Sequence, residues 1–237
     1  MIGIGVRQNR IGFGGVAGFE NTWSCDFDGV DDYVDCGAIT GGAGDLSCSL
    51  WIKTSASVAW TQENPVIFYA AAGTSRSFGN TYQKAAGTRV VRVGASYGTT
   101  QLNDGNWHHL VWTREISSGD VKCYVDGDAT PEATGTFAGT YAYTIRIGAY
   151  TNSIGTPSYW FDGLVDEVSY WNSVLTTGEI ATIYNSGTPI DLTSLNPISW
   201  YRMGDGDSFP TLTDHGSAGS DGTMTNMVAG DIVEQTP

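Results

Sequence analysis

The residues best suited to acid–base chemistry are two adjacent carboxylates, Asp166 and Glu167. Hydrolysis of glycosides with retention needs two carboxyl groups about 5 Å apart. In a β-strand, neighbouring side chains point to opposite faces, and residues two or four apart share a face. We therefore expect Asp166 and Glu167 to lie on opposite faces. The sequence predicts a protein that is not an enzyme.

The histidines offer little further chemistry. His108 and His109 are adjacent in a stretch typical of a strand, so that the two rings cannot bind one metal ion. His215 stands in a glycine-rich stretch. None of the three is paired with a serine or cysteine in a recognisable nucleophile motif. We therefore expect a structural role for His108 and His109.

The cysteines do not have the spacing of a zinc site. Cys25 and Cys36 could face each other across a hairpin, where a disulfide could form if the geometry allows it. The first residues lack a basic stretch followed by an apolar run, and so do not resemble a secretory signal. In a reducing compartment we expect free, mostly buried thiols at the four positions, which are Cys25, Cys36, Cys48 and Cys123.

Charge and hydropathy exclude two classes of partner. The net charge is −14 at pH 7, and lysines and arginines form no cluster of the kind that binds phosphates. No stretch reaches the roughly 18 apolar residues that cross a bilayer. The sequence therefore predicts neither nucleic-acid binding nor membrane insertion.

The elements that must position these residues are short strands. With 32 glycines, 8 tryptophans and 12 tyrosines, the composition favours strands joined by glycine turns. Strands are predicted over 24–27, 33–36, 46–53, 65–71, 89–93, 107–114, 121–125 and 144–148. Thr176 and Glu179 form a capping box, which predicts one short helix near 177–185. We expect an all-β fold, an antiparallel β-sandwich of jelly-roll type with this one helix.

Four motifs carry a resemblance to a known family. They are FDGVDDYV (27–34), WHH (107–109), YVDG (124–127) and FDGLVDEV (161–168). Together they resemble the laminin-G-like branch of the concanavalin A-like lectin and glucanase superfamily, over Cys25 to about Pro189. The resemblance implies a carbohydrate- or protein-binding module, often with calcium on the edge of the sandwich. It implies one calcium site where Asp166 and the loop 214–222, through Asp214, meet around the ion, although acidic turns without an ion are an equal alternative.

Two loop aromatics, Trp60 and Tyr97, are candidates for stacking on a glycan, and equally for anchoring a protein partner.

Three regions are predicted along the chain. Residues 1–20 form a glycine-rich arm, 21–190 the laminin-G-like sandwich, and 191–237 a segment that completes the same sandwich. In laminin-G-like sequences a segment like the last one usually comes first, so it is either a permuted first strand or the start of a truncated second unit. The arm is expected to dock on a neighbour through Ile2, Ile4, Val6, Ile11 and Phe13.

The segment 199–207, SWYRMGDGD, gives the chain a likeness to virion proteins of tailed bacteriophages, especially marine ones. That resemblance implies a structural protein in the virion, a decoration or knob on the capsid or tail. Its arm would bind other virion proteins, the protein would form a homo-oligomer, and its sandwich would bind glycans. The alternatives are a free carbohydrate-binding lectin and a tail-fibre adhesin.

Overall fold

The structure is a computed structural model that describes residues 18–39, 44–57, 63–65, 67–69, 79–84, 87–137, 143–151 and 157–237. Apart from the helix α1 (Thr177–Tyr184) and two short 3₁₀ turns, the described elements are strands. In chain order the strands are β1 (Ser24–Asp28), β2 (Tyr33–Ile39), β3 (Leu46–Lys53), β4 (Glu63–Pro65), β5 (Ile67–Tyr69), β6 (Asn80–Gln83), β7 (Arg89–Val93), β8 (Ser96–Tyr97), β9 (Trp107–Arg114), β10 (Asp120–Val125), β11 (Ala133–Thr136), β12 (Tyr143–Ile147), β13 (Tyr150–Thr151), β14 (Pro157–Ser158), β15 (Asp162–Trp171), β16 (Ser199–Tyr201), β17 (Thr211–Leu212), β18 (Gly222–Thr225) and β19 (Ile232–Val233). The antiparallel fold with one helix that the sequence predicted is confirmed.

The strands form two layers. One layer is an eight-stranded sheet with the order β11-β10-β9-β3-β15-β1-β19, in which β16 also pairs with β15. The other contains a five-stranded sheet, β17-β18-β2-β12-β5, and a four-stranded sheet, β4-β6-β7-β8. The chain passes directly between the two sheets of this second layer, since a single residue separates β4 of the four-stranded sheet from β5 of the five-stranded sheet. The resulting sandwich leaves one outer face on each layer.

The core lies between the layers because the strands alternate. Val34 and Cys36 of β2 are buried, as are Ile145 and Ile147 of β12, and all four belong to one cluster with Trp112 of the eight-stranded sheet. Asp35, between Val34 and Cys36, and Arg146, between Ile145 and Ile147, point outward from the second layer. That alternation fixes which side chains are available for binding.

Helix α1 covers the outer face of the eight-stranded sheet. The predicted capping box is confirmed, since the Thr176 side chain accepts a hydrogen bond from the Glu179 amide and the Glu179 carboxylate accepts one from the Thr176 amide. The helix buries Ile180 and Ile183 in a second apolar cluster that includes Trp171. This outer face is therefore occupied, whereas polar side chains line the outer face of the second layer.

The C-terminal segment enters both layers. The strand β16 pairs with β15 in the eight-stranded sheet, and β18 pairs with β2 in the five-stranded sheet. The strand β19 pairs with β1 at the edge. The identity of this segment as a permuted first strand stays a prediction.

Phe19, which the sequence analysis placed in the arm, contacts the sandwich. The Phe19 ring stacks on Trp200 with 6.1 Å between ring centroids, and the Arg202 guanidinium lies 4.4 Å from the centroid of the Phe19 ring. Phe19 thus packs against the second apolar cluster of the sandwich. The predicted docking residues Ile2, Ile4, Val6, Ile11 and Phe13 lie outside the described residues.

The four cysteines are free and buried, as the sequence analysis expected, and no disulfide joins Cys25 to Cys36. Burial raises the pKa of the Cys25 thiol well above its ordinary value. Among the helices described, none is long and apolar enough to cross a membrane.

Candidate functional site

An open groove of about 610 Å³ lies on the outer face of the five-stranded sheet. It is formed where β2 and β18 run side by side, with Thr223 opposite Asp35 and Thr225 opposite Tyr33. We call it the β2–β18 groove. Its lining residues are Asp35, Cys36, Gly37, Ser220, Asp221, Thr223 and Thr225.

Asp35 is one of the two carboxylates that line this groove. Its Oδ2 accepts hydrogen bonds from Nε and Nη2 of Arg146, both at 3.2 Å, and its Oδ1 accepts one from the Gly37 amide at 3.0 Å. The Arg146 guanidinium also lies 5.4 Å from the centroid of the Tyr33 ring. The Asp35 side chain nevertheless keeps 34% of its surface exposed, against 14% for Arg146. Asp35 is therefore fixed in place and still accessible to a ligand.

The backbone explains the shape of the groove. The register of β2 against β12 shifts between the Asp35–Arg146 pair and the Ala38–Thr144 pair, which is a β-bulge. Gly37 lies at this bulge with φ 69°, in the left-handed region that favours glycine, and space for a Cβ there is open. A bulge bends the strand that carries it, and here it lies in β2 directly after Asp35, where β2 pairs with β12.

A second group of outward side chains lies on the four-stranded sheet. The rings of Tyr82 and Tyr97 are 4.9 Å apart between centroids, and the Arg92 guanidinium lies 5.3 and 5.4 Å from those centroids. Tyr97 is 38% exposed. Tyr82 and Arg92 thus pack against Tyr97, and together they form an aromatic platform. A role for Tyr97 in ligand binding stays a prediction. Trp60 lies outside the described residues.

Asp166 and Glu167 lie in one buried cluster. The sequence analysis expected opposite faces, but the register of β15 against β3 shifts between Asp166 and Ser169, and Glu167 takes a left-handed φ of 49°. Strict alternation of side chains fails at such a bulge. Asp166 accepts hydrogen bonds from the Asn21 side chain and the Glu167 amide, both at 2.8 Å. Glu167 accepts hydrogen bonds from Trp200 Nε1 and Arg202 Nε.

Burial shifts the acidity of this pair. Burial raises the pKa of Glu167 to about 7, although the hydrogen bond from Trp200 and the charge of Arg202 act in the opposite direction. Burial and the nearby Glu167 carboxylate raise the pKa of Asp166 well above its ordinary value. Asp166 is 0% exposed and Glu167 3% exposed. A substrate therefore does not reach this pair of carboxylates.

The surroundings of Asp166 fit the oxygen ligands that calcium prefers. Asp166 and Glu167 supply carboxylates, and the buried Oδ1 of Asn21 lacks a hydrogen-bond partner among the described residues. Asp214 is engaged elsewhere. Its Oδ1 accepts from the amides of Trp200 and Gly216, and its Oδ2 accepts from the Ser220 amide. Asp166 and Asp214 share no bonded partner in the described structure, and calcium binding at either stays a prediction.

A further acidic group lies in the β1–β2 turn. Carboxylate oxygens of Asp28, Asp31 and Asp32 lie within 4.8 Å of one another. Asp28 accepts from the amides of Val30 and Asp31, and Asp32 accepts from the Asp28 amide. Burial raises the pKa of Asp32 to about 6. These hydrogen bonds show that the carboxylates order the turn.

The two histidines have different surroundings. His108 contacts Asp126 through Nδ1 at 2.8 Å and Asp104 through Nε2 at 3.3 Å. Burial lowers the pKa of His108, but the hydrogen bonds and charges of Asp126 and Asp104 outweigh it and raise the pKa above its ordinary value. Burial lowers the pKa of His109 to about 3. Both rings are parts of the packed fold.

A family model matches residues 28–181, about two thirds of the chain, and is described as the concanavalin A-like lectin/glucanases superfamily, of laminin-G type. The chain belongs to this superfamily. Its sandwich agrees with that assignment, and the four motifs named above lie in or beside the matched residues.

The relatives found among curated proteins are much longer than this chain. The sushi, von Willebrand factor type A, EGF and pentraxin domain-containing protein 1 of Rattus norvegicus is 26% identical over 105 residues. That match covers 42% of this chain and 3% of the relative. It indicates a shared module and says nothing about the whole relative's activity.

Two solved structures have a fold similar to that of this chain. A proposed carbohydrate binding protein from Bacteroides ovatus superposes with a TM-score of 0.63 at 16% identity, over 89% of this chain and 60% of that chain. A heptameric SAP-like pentraxin from Limulus polyphemus superposes with a TM-score of 0.51 at 17% identity, over 69% of this chain and 82% of that chain. At these identities the likeness concerns the fold alone.

The sequence analysis missed the β2–β18 groove. Its residues come from β2 and from the C-terminal segment, with Arg146 from β12 beside them, so no local motif joins them. The signal that was available is the alternation of Tyr33 and Asp35 with two apolar residues, which marks an outward polar face. The strand that completes that face is β18, and its pairing with β2 cannot be read from the sequence.

Proposed function

We propose that this protein is a non-enzymatic, glycan-binding sandwich carried on a virus particle. The observation that carries the glycan part is the outward row of Thr223, Asp35 and Arg146 across three neighbouring strands, with Tyr33 beside it. A fixed carboxylate accepts hydrogen bonds from sugar hydroxyls, threonine hydroxyls donate and accept, and an aromatic ring packs on the apolar face of a sugar. This combination supports recognition of a carbohydrate.

The absence of enzymatic activity is part of the proposal. The adjacent carboxylates Asp166 and Glu167 are buried and engaged with Asn21, Trp200 and Arg202. Hydrolysis of a glycoside needs an acid and a base or nucleophile on either side of the accessible scissile bond. The burial of this pair supports a binding role for the chain.

Replacing Asp35 by alanine is expected to weaken glycan binding at least about tenfold. Hydrogen bonds to a charged group contribute about 1.5–3 kcal/mol, and 1.4 kcal/mol corresponds to a factor of ten. The measurement is a glycan array probed with a multivalent form of the protein, followed by titration of the best ligand. Multivalent display is needed because single lectin contacts are weak.

The matched control is Asp128→Ala, in an exposed turn after β10, where the carboxylate accepts only a local amide hydrogen bond among its described contacts. Circular dichroism checks that both variants fold. Tyr97→Ala tests the aromatic platform on the four-stranded sheet. If Tyr97→Ala abolishes binding while Asp35→Ala leaves it intact, the groove is not the binding site. A blank array would contradict glycan binding altogether.

The particle location rests on the resemblance of the segment 199–207 to virion proteins of tailed phages. In the structure the Phe19 ring contacts Trp200 and Arg202 of this segment. Residues 1–17 precede this contact in the sequence. That anchoring supports a role for the N-terminal segment in attachment to other virion proteins. A free lectin and a tail-fibre adhesin remain the alternative functions.

Deleting residues 1–17 is expected to abolish attachment to particles and to leave the sandwich folded, because the deletion spares Phe19. Mass spectrometry of purified particles measures incorporation, and circular dichroism measures folding. The full chain is the control. Attachment of the truncated protein at the normal level would contradict docking through the arm, and absence of the full chain from particles would contradict the virion role.

A further inference from the structure

We infer that the β2–β18 groove selects neutral or amino-bearing glycans over carboxylated and sulfated ones. The inference rests on the proposed glycan binding and adds the chemical class of the ligand. It follows from the charges and hydrogen-bonding groups that the groove presents.

The groove presents a carboxylate at two points. Asp35 keeps a third of its side chain exposed, and Asp221 is exposed at the other side, on the loop that leads into β18. Among the residues that line the groove in the described structure, none is a lysine or arginine. Asp221 therefore gives the groove a net negative charge, because the ion pair with Arg146 offsets the charge of Asp35.

Among the described residues, the cation that contacts Asp35 is already engaged. Arg146 donates to Asp35 through two nitrogens, lies over the Tyr33 ring and is 14% exposed. An anionic group of a ligand would have to compete with Asp35 for this guanidinium. Such a ligand would also leave the Asp35 carboxylate beside a like charge, which is unfavourable.

The remaining polar groups suit hydroxyls. Oδ1 of Asp221 accepts from the Asp214 amide at 2.9 Å, which fixes the orientation of its carboxylate. Ser220, Thr223 and Thr225 add hydroxyl groups along the same wall. Carboxylates accept from the hydroxyls of a neutral sugar and from the ammonium group of an amino sugar. The net charge of −14 acts in the same direction at longer range.

The test is an array of matched glycan pairs, each a neutral oligosaccharide printed beside its sialylated, sulfated or uronate-containing counterpart, with chitin oligomers beside their deacetylated forms. We expect the intact chain to bind neutral and amino members at least about fivefold more tightly than their acidic counterparts. One like charge at 4 Å in water costs about 1 kcal/mol, which corresponds to that factor. Raising the salt concentration should reduce the preference.

The decisive variant is Asp221→Asn, which keeps an oxygen to accept from the Asp214 amide and removes the charge. We expect the ratio of acidic to neutral binding to rise about fivefold, while Asp128→Asn in the exposed turn leaves the ratio unchanged. Acidic glycans bound as tightly as neutral ones would overturn this inference and leave glycan binding intact. An unchanged ratio in Asp221→Asn would also overturn it, and a blank array would overturn the proposed function and this inference together.

Discussion

Replacing Gly216 by alanine is expected to lower the free energy of unfolding by about 3 kcal/mol, at the upper end of the cost of overpacking. A Cβ at this position would lie 2.5 Å from the Ser199 Cα and 2.6 Å from the carbonyl carbon and oxygen of Ile198. Those atoms belong to backbone and cannot rotate away. Either the loop or the start of β16 would have to move.

The structure gives this loop little freedom to move. The Gly216 amide donates to Asp214, and the amides of Ser217 and Ala218 donate to the carbonyls of Pro197 and Ile198. These hydrogen bonds fasten the loop to the residues that Gly216 approaches. Displacing the loop would break them, and each broken backbone hydrogen bond costs about 1 kcal/mol or more.

Urea unfolding followed by tryptophan fluorescence measures the effect. Gly230→Ala is the matched control, because a Cβ there meets nothing within 4 Å. Equal midpoints for the two variants would contradict the close approach. Since the same loop carries Ser220 and Asp221, Gly216→Ala should also weaken binding in the β2–β18 groove.

The second large effect concerns pH. The pKa of Glu167 is raised from 4.5 to about 7 in the folded protein. For a carboxyl group raised in this way, the stabilising contribution is complete below the unfolded value and is lost as the pH rises through the folded value. The free energy of unfolding should therefore fall by roughly 3 kcal/mol between pH 4.5 and 8 because of this group, at 1.36 kcal/mol for each pKa unit.

Glu167→Gln is expected to flatten this decline. Glutamine keeps an oxygen that can accept from Trp200 Nε1 and removes the titrating group. Asp166, whose pKa is raised in the same direction, should leave part of the slope. The measurement is urea unfolding at several pH values from 4.5 to 8.

The control is Glu234→Gln, at an exposed position near the end of β19. It should reproduce the pH dependence of the unchanged chain. A decline in Glu167→Gln as steep as in the unchanged chain would show that the buried carboxylate is not its source.

The sequence by itself determined the family and much of the secondary structure. The motif FDGLVDEV marks β15, and the pair Thr176 and Glu179 marks the start of α1. Both signals are local. Alternation, turn residues and capping boxes act between residues a few positions apart, so they can be read from the chain alone.

Tertiary structure alone decided the candidate site. Asp35, Arg146 and Thr223 are far apart in sequence and become neighbours only through the pairing of β2 with β12 and β18. The bulge in β15 likewise brings Asp166 and Glu167 into one buried cluster, where regular alternation predicted opposite faces. Strand pairing and bulges depend on contacts between distant segments, whose free energy is set by the packing of the whole sandwich and not by any short stretch of its sequence.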